Sequence, residues 1–172
     1  VVPGKSLEGE LTMTAAITRK VMAWRNGVEL GEITVESLYS GGYGGLSARE
    51  TWVRPDVRAD FVRMATDAWQ RDRIVLRVNS GFRTVDEQKK LYKAYEDDQK
   101  LPEWKRAGLL RPCRPGFSEH NLGVALDINR SHDDPDGDGP MRSRTDDWLD
   151  AHADEYGFYR SVPGEPWHWR HR

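Results

Sequence analysis

Cysteine occurs once in the 172 residues, as Cys113, which excludes an intrachain disulfide framework and any zinc site built from thiolates alone. Long apolar runs are missing too. None approaches the ~18 residues of a membrane span, and the N-terminus lacks the basic, apolar and small-residue succession of a secretory signal. The expectation is a protein with no membrane insertion. The chain starts with Val1, as a trimmed form would, so a missing signal does not settle where the gene product works. Charge of one sign is scarce: 26 Lys and Arg stand against 28 Asp and Glu, a formal net charge of −2. No whole-molecule field therefore draws the chain to nucleic acid or anionic lipid, and no nucleic-acid partner is expected. No repeat of about 20 to 50 residues is present, which excludes solenoids and propellers. What remains is a chain 37% hydrophobic with 16 glycines, an ordinary globular composition at a length suited to one main domain.

Asn26-Gly27 between two β-prone runs predicts a tight hairpin, and the glycine-rich stretch from Tyr39 to Gly45 reads as a loop. From Pro55 to Arg73 the apolar residues Val57, Phe61, Met64, Ala65, Ala68 and Trp69 recur at three- and four-residue spacing, which predicts a helix with one buried face. Ile74 to Val78 reads as a strand. Thr84 and Glu87 have the spacing of a capping box, opening a helix that carries Gln88, Leu91, Tyr92 and Tyr95 on one face. Residues 98 to 117 read as a loop-rich bridge. Ala125 to Ile128 is a second strand, Asp146 to Tyr156 a helix stopped by Gly157, and Phe158-Tyr159 and Trp167 to Trp169 are short strands. The expected class is α+β, a small antiparallel sheet flanked by helices. Residues 1–50 read as a β-rich extension of unknown role, and 51–172 as the main domain.

The chemistry concentrates in Ser118-Glu119-His120-Asn121-Leu122-Gly123-Val124-Ala125-Leu126-Asp127 and in Glu165-Pro166-Trp167-His168. Two histidines and an aspartate are the donors that a catalytic Zn²⁺ accepts, with a fourth position left for water, and His120, Asp127 and His168 are the expected ligands. A nearby carboxylate must take the water's proton and pass it to the leaving amine; Glu165 fits that role. Residues i and i+3 of an ideal strand face opposite sides, so Glu165 and His168 meet only if the chain bends at Pro166. Taken singly, each residue has a plainer reading: His120 as a turn or surface histidine, Asp127 as a junction acid, Glu165 as a solvated loop charge. Their joint occurrence in order carries the argument.

Ser80-Gly81-Phe82-Arg83, the Ser118-x-His120-x-x-Gly123-x-Ala125-x-Asp127 pattern, Trp148-Leu149-x-x-His152-Ala153-x-x-Tyr156-Gly157-Phe158 and Glu165-Pro166-Trp167-His168-Trp169-Arg170 together resemble the VanY-type D-alanyl-D-alanine carboxypeptidases. These are part of a metallopeptidase group that includes lysostaphin and the hedgehog signalling domain. The resemblance spans roughly residues 55 to 172. It implies one catalytic zinc on His120, Asp127 and His168, a sheet that carries this site, Glu165 as base, and Arg83 in substrate binding and oxyanion stabilisation. A fixed guanidinium can donate in a fork to a carboxylate or to a developing oxyanion. Ser118 matches the family serine and reads either as a substrate contact or as a turn stabiliser. Trp167 reads as a cleft wall or as core, Gln88 as cleft lining or helix packing, and His152 as packing or support for the metal site.

The implied reaction is removal of a terminal D-alanine from a peptidoglycan stem peptide by attack of metal-activated water. Two other readings stay open: an endopeptidase cutting inside the stem peptide, and a zinc-containing binding module without turnover. A thiol hydrolase built on Cys113 is disfavoured, because its proline-rich surroundings offer no helix N-terminus to activate the thiol. Asp134, Asp136 and Asp138, in Asp134-Pro135-Asp136-Gly137-Asp138-Gly139, reproduce the first half of a calcium loop. Position twelve is Thr145 rather than a bidentate acid, so the segment reads either as a weak Ca²⁺ site or as a solvated acidic loop. A peptidoglycan substrate implies work in the periplasm, outside the cell, or at a wall reached by phage or secretion particle. The oligomeric state is not legible.

Overall fold

Asn26 and Gly27 take positive φ values of 53° and 78°, the pairing that a two-residue turn needs to match strand twist. They join β1 (Thr18–Arg25) to β2 (Val28–Ser37), the hairpin that Asn-Gly predicts. The computed structural model describes residues 16–38, 50–128 and 144–172; the glycine-rich stretch from Tyr39 to Gly45 and the acidic Asp134, Asp136 and Asp138 lie outside them. β2 also pairs antiparallel with β3 (Trp52–Val53), Ser37 opposite Trp52. The hairpin thus shares a sheet with the start of the 51–172 segment, and Val35, Trp52 and Phe82 bury one another beneath it.

Pro55 fixes the first turn of α1 (Pro55–Asp72), where its missing N–H leaves no bond unmade. Arg73, at φ 56°, ends the helix: its N–H turns back to the Trp69 carbonyl and the next N–H, of Ile74, to the Ala68 carbonyl. Val57, Phe61, Met64, Ala65 and Ala68 pack into one core with Leu126, Ile128, Leu149, Phe158 and Trp169. Two positions depart from the spacing rule. Trp69, expected on the buried face, is 38% exposed and lies under the Arg73 guanidinium. Arg58 is buried instead, donating from Nε to the Ser37 carbonyl at 3.1 Å.

The second sheet is antiparallel in the order β4-β5-β7-β6, formed by Val78–Ser80, Ala125–Ile128, His168–His171 and Phe158–Tyr159. β4 starts at Val78, later than the strand expected from Ile74. Ile74 and Leu76 are buried while Val75 is exposed, so the alternation is real. β5 meets this segment only at Val78 and Ser80, and alternation without a ladder partner is extended chain rather than strand. The capping box forms as read: Thr84 Oγ1 accepts from the Glu87 N–H, and Glu87 answers to the Thr84 N–H. The helix it opens, α2 (Val85–Gln99), is largely exposed. Leu91 is 43% exposed and Gln88 is buried, so α2 borders a cleft instead of covering the core.

α3 (Arg144–His152) passes into a 3-10 turn, Ala153–Tyr156, and stops at Gly157 with φ 82°. Its Trp148 donates to Asp72 at the end of α1. Among the described residues no helix is long and apolar enough to cross a membrane.

Candidate active site

β5 lies between β4 and β7, and the register sets Asp127 opposite Ser80 on one side and His168 on the other. Cross-strand partners share a face, so Asp127 and His168 point to the same side. The β4–β5 register shifts between Val78 and Ser80, a bulge that brings Ser80, not Asn79, opposite Asp127. His120 arrives from a different element, the 3-10 turn Glu119–Leu122. Ser118 caps this turn, its Oγ accepting from the His120 N–H at 3.3 Å. Gly123 closes it at φ 71°, a left-handed conformation that favours glycine, and the chain then enters β5. The Gly in the sequence pattern is therefore the hinge between the first histidine and the aspartate.

Ligand atoms of His120, Asp127 and His168 lie within 4.8 Å of one another. His120 Nε2 is 3.3 Å from Asp127 Oδ1, and His168 Nδ1 is 3.2 Å from the same oxygen. The remote nitrogen of each ring is engaged elsewhere. His120 Nδ1 faces the Gly81 carbonyl at 2.7 Å, and His168 Nε2 faces Glu119 Oε2 at 3.0 Å. A ring whose outer N–H is held this way presents the lone pair of its inner nitrogen, the arrangement typical of metal-ligating histidine. The donor set and its supports thus fit a divalent transition metal such as zinc.

The electrostatics are those of a tight cation–anion cluster. Burial pushes the Asp127 carboxyl up, but bonds from His120 and His168 outweigh it and hold the group well below the carboxylate range. Burial pulls His168 down, while bonds to Asp127 and Glu119 raise it further, to about 9. Glu119, also pushed up by burial, is brought down to about 2 by His168, Ser161 and Arg170.

The bend that Glu165 requires is present. The His168 N–H donates to the Glu165 carbonyl at 3.1 Å, closing a turn with Pro166 at its second position, where its fixed φ belongs. Glu165 Oε2 then sits 3.9 Å from His168 Nδ1, beside the cluster but outside the three ligand positions. Arg83 comes from the loop between β4 and α2. Its guanidinium donates to Ser80 Oγ at 3.0 Å and to Gln88 Oε1 at 2.9 Å, and lies 3.9 Å from Asp127. Gln88 donates onward to the Cys113 carbonyl at 2.7 Å. Arg83 is thus held by three partners at the edge of the cluster.

A cleft of about 440 Å³ runs over these groups. It is lined by Arg83, Gln88, Ser118, Glu165 and Trp167 around the cluster, with Leu91 and Tyr95 from α2 and Leu109 and Leu110 from the segment that follows it. His120, Asp127, His168, Glu165, Arg83, Ser118, Trp167 and Gln88 all border this one cleft. His152 does not: it bonds Glu155 and stacks on Trp148, which is packing. Cys113 borders the cleft, yet burial and then the Glu165 and Glu119 carboxylates push its thiol up, the opposite of what an activated nucleophile needs.

Several participants were not read from the sequence. Glu119 contacts His168, Arg170 and Ser161. The Gly81 carbonyl meets His120, and Ser80 meets Arg83. Two signals were available: Glu119 adjoins a ligand, and Arg170 lies two residues beyond another, on the same strand face.

A family model for VanY, D-alanyl-D-alanine carboxypeptidase, matches residues 50–172. A D-alanyl-D-alanine carboxypeptidase of Enterococcus faecalis is 30% identical over 139 residues, covering 69% of this chain and 48% of the relative. One of Enterococcus faecium is 29% identical over 140 residues, covering 76% and 40%. The chain therefore spans about half or less of the length of these curated relatives. Among solved structures, a vancomycin resistance D,D-pentapeptidase VanY in complex with Zn(II) aligns with a TM-score of 0.54 at 26% identity, covering 72% of this chain and 75% of the other. The LdcB LD-carboxypeptidase aligns with a TM-score of 0.55 at 27% identity, covering 70% and 59%. With 123 consecutive residues under the family model, this chain belongs to the VanY D-alanyl-D-alanine carboxypeptidase family.

Proposed function

We propose that this chain is a zinc-dependent D,D-carboxypeptidase that removes the terminal D-alanine from peptidoglycan stem peptides. The observation that carries the reading is the convergence of His120, Asp127 and His168, each histidine with its outer nitrogen already engaged. His120, Asp127 and His168 would hold one zinc. Zinc bound there acts as a Lewis acid that acidifies water and polarises the scissile carbonyl.

The remaining chemistry belongs to the chain's own side chains. Glu165 takes the proton of the attacking water as its oxygen bonds to the carbonyl carbon, and delivers that proton to the amine as the C–N bond breaks. The Arg83 fork binds the terminal carboxylate or the oxyanion, pre-set by Ser80 and Gln88 so that little reorganisation is needed. Ser118 and Trp167 line the same cleft and would border the bound peptide. We assign catalysis to residues 51–172 and a supporting role to the hairpin in residues 1–50. Such a substrate places the work at the cell wall, outside the cytoplasm.

The test is mass spectrometry of a stem pentapeptide ending in D-Ala-D-Ala, incubated with the zinc-loaded protein. Loss of a single alanine is the expected result. Cleavage at an internal bond would replace the reading with an endopeptidase. Removal of D-alanine only from the tetrapeptide would replace it with an L,D-carboxypeptidase, the activity named for one of the similar structures. An intact peptide with zinc bound would leave a binding module.

A further inference from the structure

Glu119 stands where three pieces of chain meet. It opens the turn that carries His120, its Oε2 accepts from His168 Nε2 at 3.0 Å and from Ser161 Oγ at 2.5 Å, and its Oε1 accepts from Arg170 at 2.5 Å. His168 and Arg170 are two apart on β7 and so face the same side. Ser161 belongs to the segment that leads from β6 to Glu165.

We infer that Glu119 is a positioning residue: it fixes His168 as a ligand through Nδ1 and anchors the segment bearing Glu165 beside the metal site. This rests on the zinc reading above. An imidazole that gives its Nε2–H to a carboxylate keeps its lone pair on Nδ1, the nitrogen that lies 3.2 Å from Asp127 and 3.9 Å from Glu165. Rotating the ring or moving the proton would turn the N–H toward Asp127 and the lone pair away from it. The surroundings also explain why a carboxylate is needed. All three partners present donors, and an ionised carboxylate is an acceptor on both oxygens. A glutamine has one acceptor oxygen. Its amide nitrogen would face either the Arg170 guanidinium, donor against donor, or His168 Nε2, where it would favour the tautomer with the proton on Nδ1.

The test compares zinc affinity of the wild type, Glu119→Ala and Glu119→Gln by competition with a chelator, and records long-range ¹H–¹⁵N spectra of the zinc-loaded wild type. Removing such outer support typically weakens metal binding about 10- to 100-fold; that loss is expected for Glu119→Ala, with no full rescue by the isosteric Glu119→Gln. The spectra should show the His168 proton on Nε2, protected from exchange. Zinc affinity of both variants within twofold of the wild type would overturn the inference, as would a zinc-loaded wild type with the His168 proton on Nδ1. The spectrum decides the matter if the alanine variant does not fold. Failure here is separable from failure of the function: a wild type that binds one zinc and hydrolyses peptide, beside unaffected variants, leaves the enzyme and removes only the role of Glu119. A wild type that binds no zinc removes both.

Discussion

The carbonyl oxygen of Gly81 lies 2.7 Å from Nδ1 of His120, so a backbone group two residues before Arg83 determines which nitrogen of His120 turns to Asp127. Gly81 is glycine because of crowding. A Cβ there would lie 2.5 Å from the Trp52 carbonyl oxygen and 2.7 Å from Thr51 Cγ2. Gly81→Ala is expected to cost about 1–3 kcal/mol of stability by overpacking and to weaken zinc binding by displacing the His120 acceptor. Urea unfolding and zinc titration of the variant measure both; wild-type values in both would contradict the account.

Glu165 is beside the cluster, not one of its three ligand positions. Glu165→Gln is therefore expected to bind zinc with wild-type stoichiometry while losing about 10²- to 10⁴-fold in kcat/KM, the usual scale of a general acid–base group. Steady-state kinetics alongside metal analysis separates the two effects. Loss of zinc from this variant would assign Glu165 to the metal site, and undiminished turnover would remove it as base.

The predicted order of damage around Arg83 follows from its bonds. Arg83→Lys keeps the charge but loses the planar fork, and a drop of about 10²- to 10³-fold in kcat/KM is expected from the loss of one fixed donor to the oxyanion. Gln88→Ala removes the link between Arg83 and the Cys113 carbonyl without touching the reacting atoms. A smaller fall, about tenfold, with zinc affinity unchanged, is the expected outcome by positioning alone. If Gln88→Ala matched Arg83→Lys, Gln88 would be a direct substrate contact.

What could be read from the sequence divides by range. The Asn26-Gly27 turn, the face of α1, the Thr84–Glu87 box and the bend at Pro166 are local, each written in residues a few positions apart. Glu119 adjoins a ligand in sequence, but its partners Ser161, His168 and Arg170 lie 42, 49 and 51 residues away, and adjacency alone does not specify such contacts. The Gly81 carbonyl is a backbone group, invisible to residue type. Ile74 to Arg77 alternates like a strand, but strand identity depends on a partner that the segment itself does not encode. Arg58 is buried because the Ser37 carbonyl, 21 residues away, gives its guanidinium an acceptor, and Trp69 stays 38% exposed beneath Arg73.

The capping box gives a prediction in pH. Burial raises Glu87, but its bonds with Thr84 outweigh this and hold the carboxyl below its usual 4.5. A carboxyl depressed in the folded state stabilises the fold above its unfolded pKa, and that contribution disappears as pH falls through the folded value. The stability difference between wild type and Glu87→Gln is thus expected at neutral pH and should shrink on acidification below about 4.5. Thr84→Ala should cost about 1 kcal/mol at neutral pH. Urea titrations at two pH values test both, and a difference that grows with acid would contradict the sign.

The most direct test of the central claim is anomalous diffraction at the zinc edge from crystals of the zinc-loaded protein. The account predicts one peak, bounded by His120 Nε2, Asp127 Oδ1 and His168 Nδ1, with Glu165 close by but outside the inner ligand set. A peak held by other residues, or none in protein that still cleaves the pentapeptide, would contradict it.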